Sequence, residues 1–278
     1  MRKLKGIILL LRPKNAILAS IGTLVGWFSA GIPIYPVDRL FICLLVPSLI
    51  LMGGNAINDF FDVEIDRINR PYRPIPSGMV SRSEAAFLYI LLSTAGTLLS
   101  YFISVAHFMI ALFFSVAWYL YGLRLKREGL IGNILVSLGV AFTIIYGGLY
   151  SITYRVILYS LIAFLVNLAR EITKGVEDIE GDRAAGVKTI AIIKGEETAG
   201  RAILTICLLA TIVTYIPFIA GLSGLIYLFL STTAVIFLLR SAILSRNINK
   251  QVAGRVSFLI KISMLLGLLA MLIDSVKL

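Results

Sequence analysis

Nine apolar stretches recur along this chain, each close to the roughly 20 residues that a helix needs to cross hydrocarbon. The pattern predicts an all-α, multi-pass membrane protein with nine transmembrane helices in one bundle. Approximate cores fall at 14–32, 40–60, 84–103, 106–122, 132–150, 155–172, 199–220, 223–243 and 256–275. Hydrophobic residues make up 59% of the 278, too many for an ordinary soluble domain. Cys43 and Cys207 both lie in apolar runs, which argues against a disulfide framework or a zinc site. The single histidine, His107, reads as structural, so histidine acid–base chemistry has no candidate.

Charge tests the helix count. With the N-terminus and the loops 2–3, 4–5, 6–7 and 8–9 on one side, that side carries 22 of the 26 lysines and arginines. The other side keeps Arg39 and Lys277, with Arg155 and Lys261 near helix ends. Positive-inside bias makes the rich side, and with it the N-terminus, cytoplasmic. The net charge of +11 is therefore spent on topology, and no nucleic acid partner is implied. Thirteen of the 15 acids share the same side, which the charge rule does not demand, so the chemistry is expected on the cytoplasmic face.

Those acids form two clusters at helix ends. Carboxylates at the edge of hydrocarbon are costly and mark function by default. In the first cluster Asn55, Asp59, Asp62 and Asp66 follow helical spacing and share one face of a helix that must continue past its apolar core. Hard oxygen ligands in this pattern suit Mg²⁺, which takes one or two carboxylates plus phosphate oxygens and water. In the second cluster Asp178 and Asp182 stand i, i+4, and Glu171 and Lys174 precede them on the same face. The clusters occupy matching positions after the second helix of helices 1–4 and of helices 5–8. The chain therefore reads as a single domain, 1–278, with a possible internal duplication.

Basic residues accompany both clusters. The loop Arg67–Gly78 holds three prolines and a glycine and is expected to be a stiff, non-helical turn. Its Arg70 and Arg73 can fork onto phosphate oxygens or serve as topological anchors. The segment Gly181–Thr189 reads as the matching lid. Tyr121 and Lys126 stand at the cytoplasmic end of helix 4, and Lys126 reads equally as phosphate contact or anchor. Arg12, Lys14 and Asn15 form a patch at the start of helix 1. Tyr146 with Gly147 and Gly148 marks either a tight helix contact or a cavity wall.

Asn58-Asp59-x-x-Asp62-x-x-x-Asp66, the loop Arg73-Pro74-x-x-Ser77-Gly78 and the second Asp178-x-x-x-Asp182 together resemble the UbiA superfamily of intramembrane prenyltransferases. The resemblance covers most of the chain. It implies a nine-helix bundle open laterally to lipid, with cap loops carrying the two Asp-rich motifs. A prenyl diphosphate would bind through Mg²⁺ held by Asn55, Asn58, Asp59, Asp62, Asp66, Asp178 and Asp182. The run from Arg170 to Asp182 is similar to that of the archaeal digeranylgeranylglyceryl phosphate synthases within the superfamily. That likeness implies geranylgeranyl diphosphate as donor and a lipid phosphate, geranylgeranylglyceryl phosphate, as acceptor.

On this reading two Mg²⁺ ions with Arg70, Lys126 and Lys174 stabilise the leaving diphosphate. Arg12, Lys14 and Arg170 are the candidates for the acceptor phosphate, and Asn15, Tyr121 and Tyr146 for the substrate cavity. Asp59, Asp62, Asp178, Asp182, Lys174 and Glu171 form the catalytic set, with either Glu171 or Asp62 taking the proton. No obligate protein partner is evident. Two other classes stand beside this one: an aromatic prenyltransferase of quinone or pigment biosynthesis with the same donor site, and a non-enzymatic carrier or cation channel.

Overall fold

The computed structural model describes residues 2–34 and 37–276; Lys277, used in the charge argument, lies outside them. The regular structure of the described residues is helical, and nine helices are long and apolar enough to cross a membrane. Each of the nine sequence cores overlaps one of them. The chain divides into two compact units. The first holds the residues up to Thr23 together with Pro33–Lys126; the second holds Leu24–Ile32 and the chain from Arg127 onward.

The N-terminal helix is the main departure from the sequence reading. It begins at Arg2 and is broken, giving α1 (Arg2–Leu11) and α2 (Pro13–Ser29). The break is Arg12, at φ 51, a left-handed value that a non-glycine residue rarely holds. Pro13 supplies the physical reason. Proline suits the first position of a helix, where its missing N–H costs nothing, and it disfavours helical backbone in the residue before it.

The first unit continues with α3 (Val37–Phe61), the short α4 (Val63–Asn69), α5 (Arg82–Tyr101) and α6 (Val105–Leu123). Helix α5 opens on a capping box in which Ser81 and Glu84 satisfy each other's backbone N–H groups. The short apolar connection before α6 still ends one helix and begins another, because the Ser104 side chain caps α6. The same hydroxyl lies 2.7 Å from His107 Nδ1, so the buried histidine is structural, as expected.

Helix α3 is the spine of this unit. A Cβ on Gly53 would fall 2.7 Å from Ser93 Oγ in α5, and one on Gly54 would fall 2.9 Å from the Trp118 ring in α6. Small residues here let the helix backbones approach closely. A small core of Leu10, Ala56, Val63, Ile75, Val80 and Ala85 ties α1, α3, α4 and α5 to the proline-rich loop.

The second unit contains α7 (Leu130–Gly147), α8 (Tyr154–Glu177), the short α9 (Ile179–Ala184) and α10 (Ile190–Lys194), then α11 (Glu196–Ile219), α12 (Leu225–Leu244) and α13 (Lys250–Val276). Helix α8, the most buried of the spans, packs on α7, α11 and α13. Its Tyr159 stacks on Tyr227, with ring centroids 5.4 Å apart, inside a core that includes Ile203, Cys207, Leu238, Val256 and Ile260. Cys207 here and Cys43 in α3 are buried. The sequence left the Tyr146-Gly147-Gly148 run open between contact and cavity wall. At Gly148 the structure makes it a contact: a Cβ there would meet Val156 Cγ2 at 2.8 Å and the Gly26 carbonyl oxygen at 3.1 Å.

Asp274, near the end of α13, is buried and accepts from the Tyr159 hydroxyl at 2.9 Å and from the Gly224 N–H at 3.0 Å. The acid therefore fixes the α11–α12 turn to two helices. Asp274→Ala strands the Gly224 N–H and leaves the Tyr159 hydroxyl with Ser223 Oγ at 2.9 Å, and should cost about 1–3 kcal/mol. Thermal unfolding in detergent checks this, and an unchanged midpoint would refute the assignment.

Candidate functional site

The first acidic cluster is built where α3 gives way to α4. The sequence expects a continuous helix through Asn55, Asp59, Asp62 and Asp66. The structure breaks it at Asp62, where φ is −84 and ψ is 3. The helical bonding nevertheless crosses the break. The Asp62 N–H donates to the Asn58 carbonyl at 2.9 Å, and the Asp66 N–H donates to the Asp62 carbonyl at 2.8 Å. The register is kept, and Asn55, Asp59, Asp62 and Asp66 are all buried.

Three cations of the same unit meet these acids. Arg12 donates to Asn55 Oδ1 at 3.0 Å and forms an ion pair with Asp59. Arg73 reaches Asp66 at 2.6 Å and Asp59 at 3.4 Å. Lys126 reaches Asp62 Oδ2 at 2.5 Å, and the same oxygen accepts from Asn58 Nδ2 at 2.9 Å. Three carboxylates are thus balanced by three cations. Burial lifts the Asp66 carboxyl above its usual range against the pull of Arg73. Burial works against the Arg73 charge too, but the carboxylates of Asp59, Asp66 and Asp62 outweigh it and hold the guanidinium above its ordinary value.

The loop explains why Arg73 is available. Its turns close through Arg73 N–H to the Arg70 carbonyl, Ser77 N–H to the Arg73 carbonyl, and Met79 N–H to the Pro74 carbonyl. Ser77 Oγ adds a 2.7 Å bond to the Arg73 carbonyl, and Gly78 supplies the positive φ of 71 that ends the turn. Helix α1 lies against this loop at Gly6, where a Cβ would fall 2.7 Å from Met79 Cβ. The loop is the stiff turn the sequence predicts. The sequence reading names Arg70 for the diphosphate and leaves Arg73 open; the structure places Arg70 half-buried at the end of α4 and Arg73 on Asp59 and Asp66. The signal was present, because Arg73 is the first residue of the Arg-Pro-x-x-Ser-Gly pattern.

The second cluster has a different pairing. Glu171 is buried and accepts from Lys174 at 3.1 Å through both oxygens and from Arg170 at 3.0 Å. Helix α8 ends at Glu177, and Asp178 links it to α9, so Asp178 and Asp182 do not share one uninterrupted helix. The Asp182 N–H still donates to the Asp178 carbonyl at 3.0 Å, which preserves their i, i+4 relation; both side chains are half-buried. Asn167, which sequence reasoning missed, lies four residues before Glu171, is buried, and donates to Ser137 Oγ at 3.2 Å. The run Asn167, Glu171, Lys174, Asp178 therefore repeats the spacing of Asn55, Asp59, Asp62, Asp66, with a lysine where the first helix has an acid.

The segment after α9 is pinned. The Lys188 N–H donates to the Arg127 carbonyl at 2.8 Å, Gly129 at φ 53 passes against the Lys188 backbone, and Thr189 caps α10 while packing on Gly175.

Lys14 and Asn15 are exposed at the start of α2. Tyr121 is half-buried with its ring edge-on to Trp118 at 6.1 Å, and Tyr146 is buried within α7. The structure brings Arg12 to the first acidic cluster, away from the exposed patch in which the sequence placed it.

The fit to a divalent ion can be judged from the donors. Asn58 Oδ1 is buried without a hydrogen-bond partner beside Asp62, and every candidate ligand is a hard oxygen. Among the described residues no three His, Cys, Asp or Glu side chains gather closely enough to cage an ion. Hard oxygen donors are the kind that Mg²⁺ takes, together with phosphate oxygens and water.

The sequence pattern of the UbiA prenyltransferase family matches residues 19–265. The digeranylgeranylglyceryl phosphate synthase of Korarchaeum cryptofilum is 47% identical over 278 residues, covering 99% of this chain and 98% of its own. A solved structure of a digeranylgeranylglyceryl phosphate synthase aligns over 100% of both chains with a TM-score of 0.81 at 33% identity. A UbiA homologue from Archaeoglobus fulgidus bound to GPP and Mg²⁺ shares the fold, with a TM-score of 0.72 and 19% identity over 96% of this chain and 99% of its own.

Proposed function

This chain belongs to the UbiA prenyltransferase family, and from that premise we propose that it moves a geranylgeranyl group from geranylgeranyl diphosphate to the free glycerol hydroxyl of geranylgeranylglyceryl phosphate. The product is the second ether bond of an archaeal membrane lipid. The observation that carries this reading is the buried row Asp59, Asp62 and Asp66 with its attendant Arg12, Arg73 and Lys126. The full-length relative from Korarchaeum supports the choice of acceptor.

In the reaction the allylic C1–O bond breaks, the glycerol oxygen bonds to C1, its proton is lost, and diphosphate leaves. Mg²⁺, two ions on this reading, would draw charge from the departing oxygens when bound with the diphosphate. Asn58, Asp59, Asp62, Asp66, Asp178 and Asp182 would hold it. Arg70, Lys126 and Lys174 steady the diphosphate as its charge develops. The apolar helices keep water from the allylic carbon. Glu171, already bound by Arg170 and Lys174, or Asp62 takes the proton. Lys14 and Arg170 remain for the acceptor phosphate.

The protein is integral to the membrane. Positive-inside bias supports a cytoplasmic N-terminus and a cytoplasmic active site. The family match spans both compact units, which supports one catalytic domain.

An assay with labelled geranylgeranyl diphosphate and Mg²⁺, offering geranylgeranylglyceryl phosphate and 4-hydroxybenzoate in parallel, tests the reading. Ether-lipid product alone is the expected result. Product from the aromatic acid alone would keep the donor site and overturn the acceptor.

A further inference from the structure

We infer that Arg12 and Lys126 are exchangeable counter-ions, which hold Asp59 and Asp62 until a diphosphate accepts their charge and the carboxylates turn to metal. The inference rests on the donor-site reading above. It concerns the order of events: the site takes metal and diphosphate as a unit and resists metal alone.

Four observations carry it. First, charge in the cluster is already balanced, with Asp59, Asp62 and Asp66 set against Arg12, Arg73 and Lys126. A bare divalent ion would add two positive charges to a neutral, buried group, and only an arriving anion offsets that. Second, one oxygen of each carboxylate is already held by cations or amide: Arg12 and Arg73 are on Asp59 Oδ1, and Lys126 and Asn58 share Asp62 Oδ2.

Third, Arg12 is the one non-glycine residue at positive φ among the described residues. Pro13 fixes that break, and the guanidinium's contacts to Asn55 and Asp59 offset part of the strain, so the hold of Arg12 on the acid is weakened by the cost of its own backbone. Fourth, the three cations are not equivalent. Arg73 extends from a loop clamped by Ile75 and Val80 in the small core and bridges two acids, whereas Arg12 and Lys126 each hold a single carboxylate and are more exposed. Arg73 is therefore a fixed strut, and the other two are free to move to phosphate.

Linkage makes the idea measurable. If diphosphate draws the cations away, it must tighten metal binding by the same factor as metal tightens diphosphate binding. Equilibrium dialysis of the detergent-solubilised protein against Mn²⁺, which takes the same oxygen ligands, reads this directly. It is run with and without inorganic pyrophosphate. Wild type should bind Mn²⁺ weakly alone and about tenfold more tightly with pyrophosphate.

Arg12→Gly keeps the positive-φ backbone and removes the charge. It should bind Mn²⁺ alone about tenfold more tightly than wild type, and gain little from pyrophosphate. Arg12→Lys retains a cation and should stay weak. Lys126→Gln frees Asp62 without touching the helix break and should behave like Arg12→Gly. Mn²⁺ alone binding no more tightly in Arg12→Gly and Lys126→Gln than in wild type overturns the exchange. Wild type that takes up no Mn²⁺ even with pyrophosphate overturns the donor-site reading, and the exchange with it.

Discussion

Asp59→Asn is expected to lower prenyl transfer roughly a hundred- to a thousandfold while leaving the protein folded. Asp59 is almost completely buried and serves two guanidiniums, those of Arg12 and Arg73. An amide has nearly the same shape and can still accept a hydrogen bond from either. It carries no charge, so it neither holds a metal ion firmly nor balances two cations. Breaking a buried ion pair outright costs about 3–5 kcal/mol, and the isostere recovers part of that. Turnover and thermal unfolding measured on one preparation separate the two effects.

Glu64 is the control. It lies in the same acidic run but is exposed, and among the described residues its ion pair is with Arg67, one helical turn away. Glu64→Gln should therefore leave turnover unchanged, since exposed pairs of this kind contribute little. Equal losses in Asp59→Asn and Glu64→Gln would mean that charge in the segment, and not the buried row, sustains activity.

Gly26→Ala should be among the most damaging single-methyl changes in the second unit. A Cβ there would overlap the Ile144 carbonyl oxygen and come within 2.9 Å of the Gly148 nitrogen. Both are backbone atoms, so no side-chain rotation makes room. Residues 24–29 of α2 must move away from α7, opening the contact around Val25, Ile144 and Val156. Overpacking of this kind costs about 3 kcal/mol or more, seen as a lower unfolding midpoint and a poorer yield of monodisperse protein. Gly254→Ala, within α13, has nothing within 4 Å of the new methyl. It should be neutral or stabilising by up to ~1 kcal/mol, because alanine is the better helix former. Similar losses for both glycines would mean that the α2–α7 approach is not what Gly26 secures.

The helical framework was legible in advance because hydrocarbon imposes a strict length on each apolar run, and loop charge sharpens the count. The acidic faces were legible for a related reason. Asn55, Asp59, Asp62 and Asp66 recur at helical spacing, and so do Glu171, Lys174 and Asp178. Spacing survives a local break when the i→i−4 bonds continue across it, as they do at Asp62 and between Asp178 and Asp182. The breaks themselves were missed, since nothing in a period of 3.6 residues announces a change of backbone angle at a single position. Arg12 was the hardest case. Read along the chain it belongs with Lys14 and Asn15, yet the turn forced by Pro13 separates it from them.

What the sequence determined alone, then, is the repeated helix, the alternate loops in which charge collects, and the residue types suited to metal and phosphate. Each is a local property, fixed by composition and period within a few turns of the chain. Which cation meets which acid was decided only by the tertiary structure. Arg12 reaches Asp59 across 47 positions and Lys126 reaches Asp62 across 64. Arg73 is held on two carboxylates by a loop clamped beneath it. Pairings over such separations depend on how closely the helices approach, and that closeness is set by glycines such as Gly6, Gly53 and Gly54, whose partners lie far away in sequence.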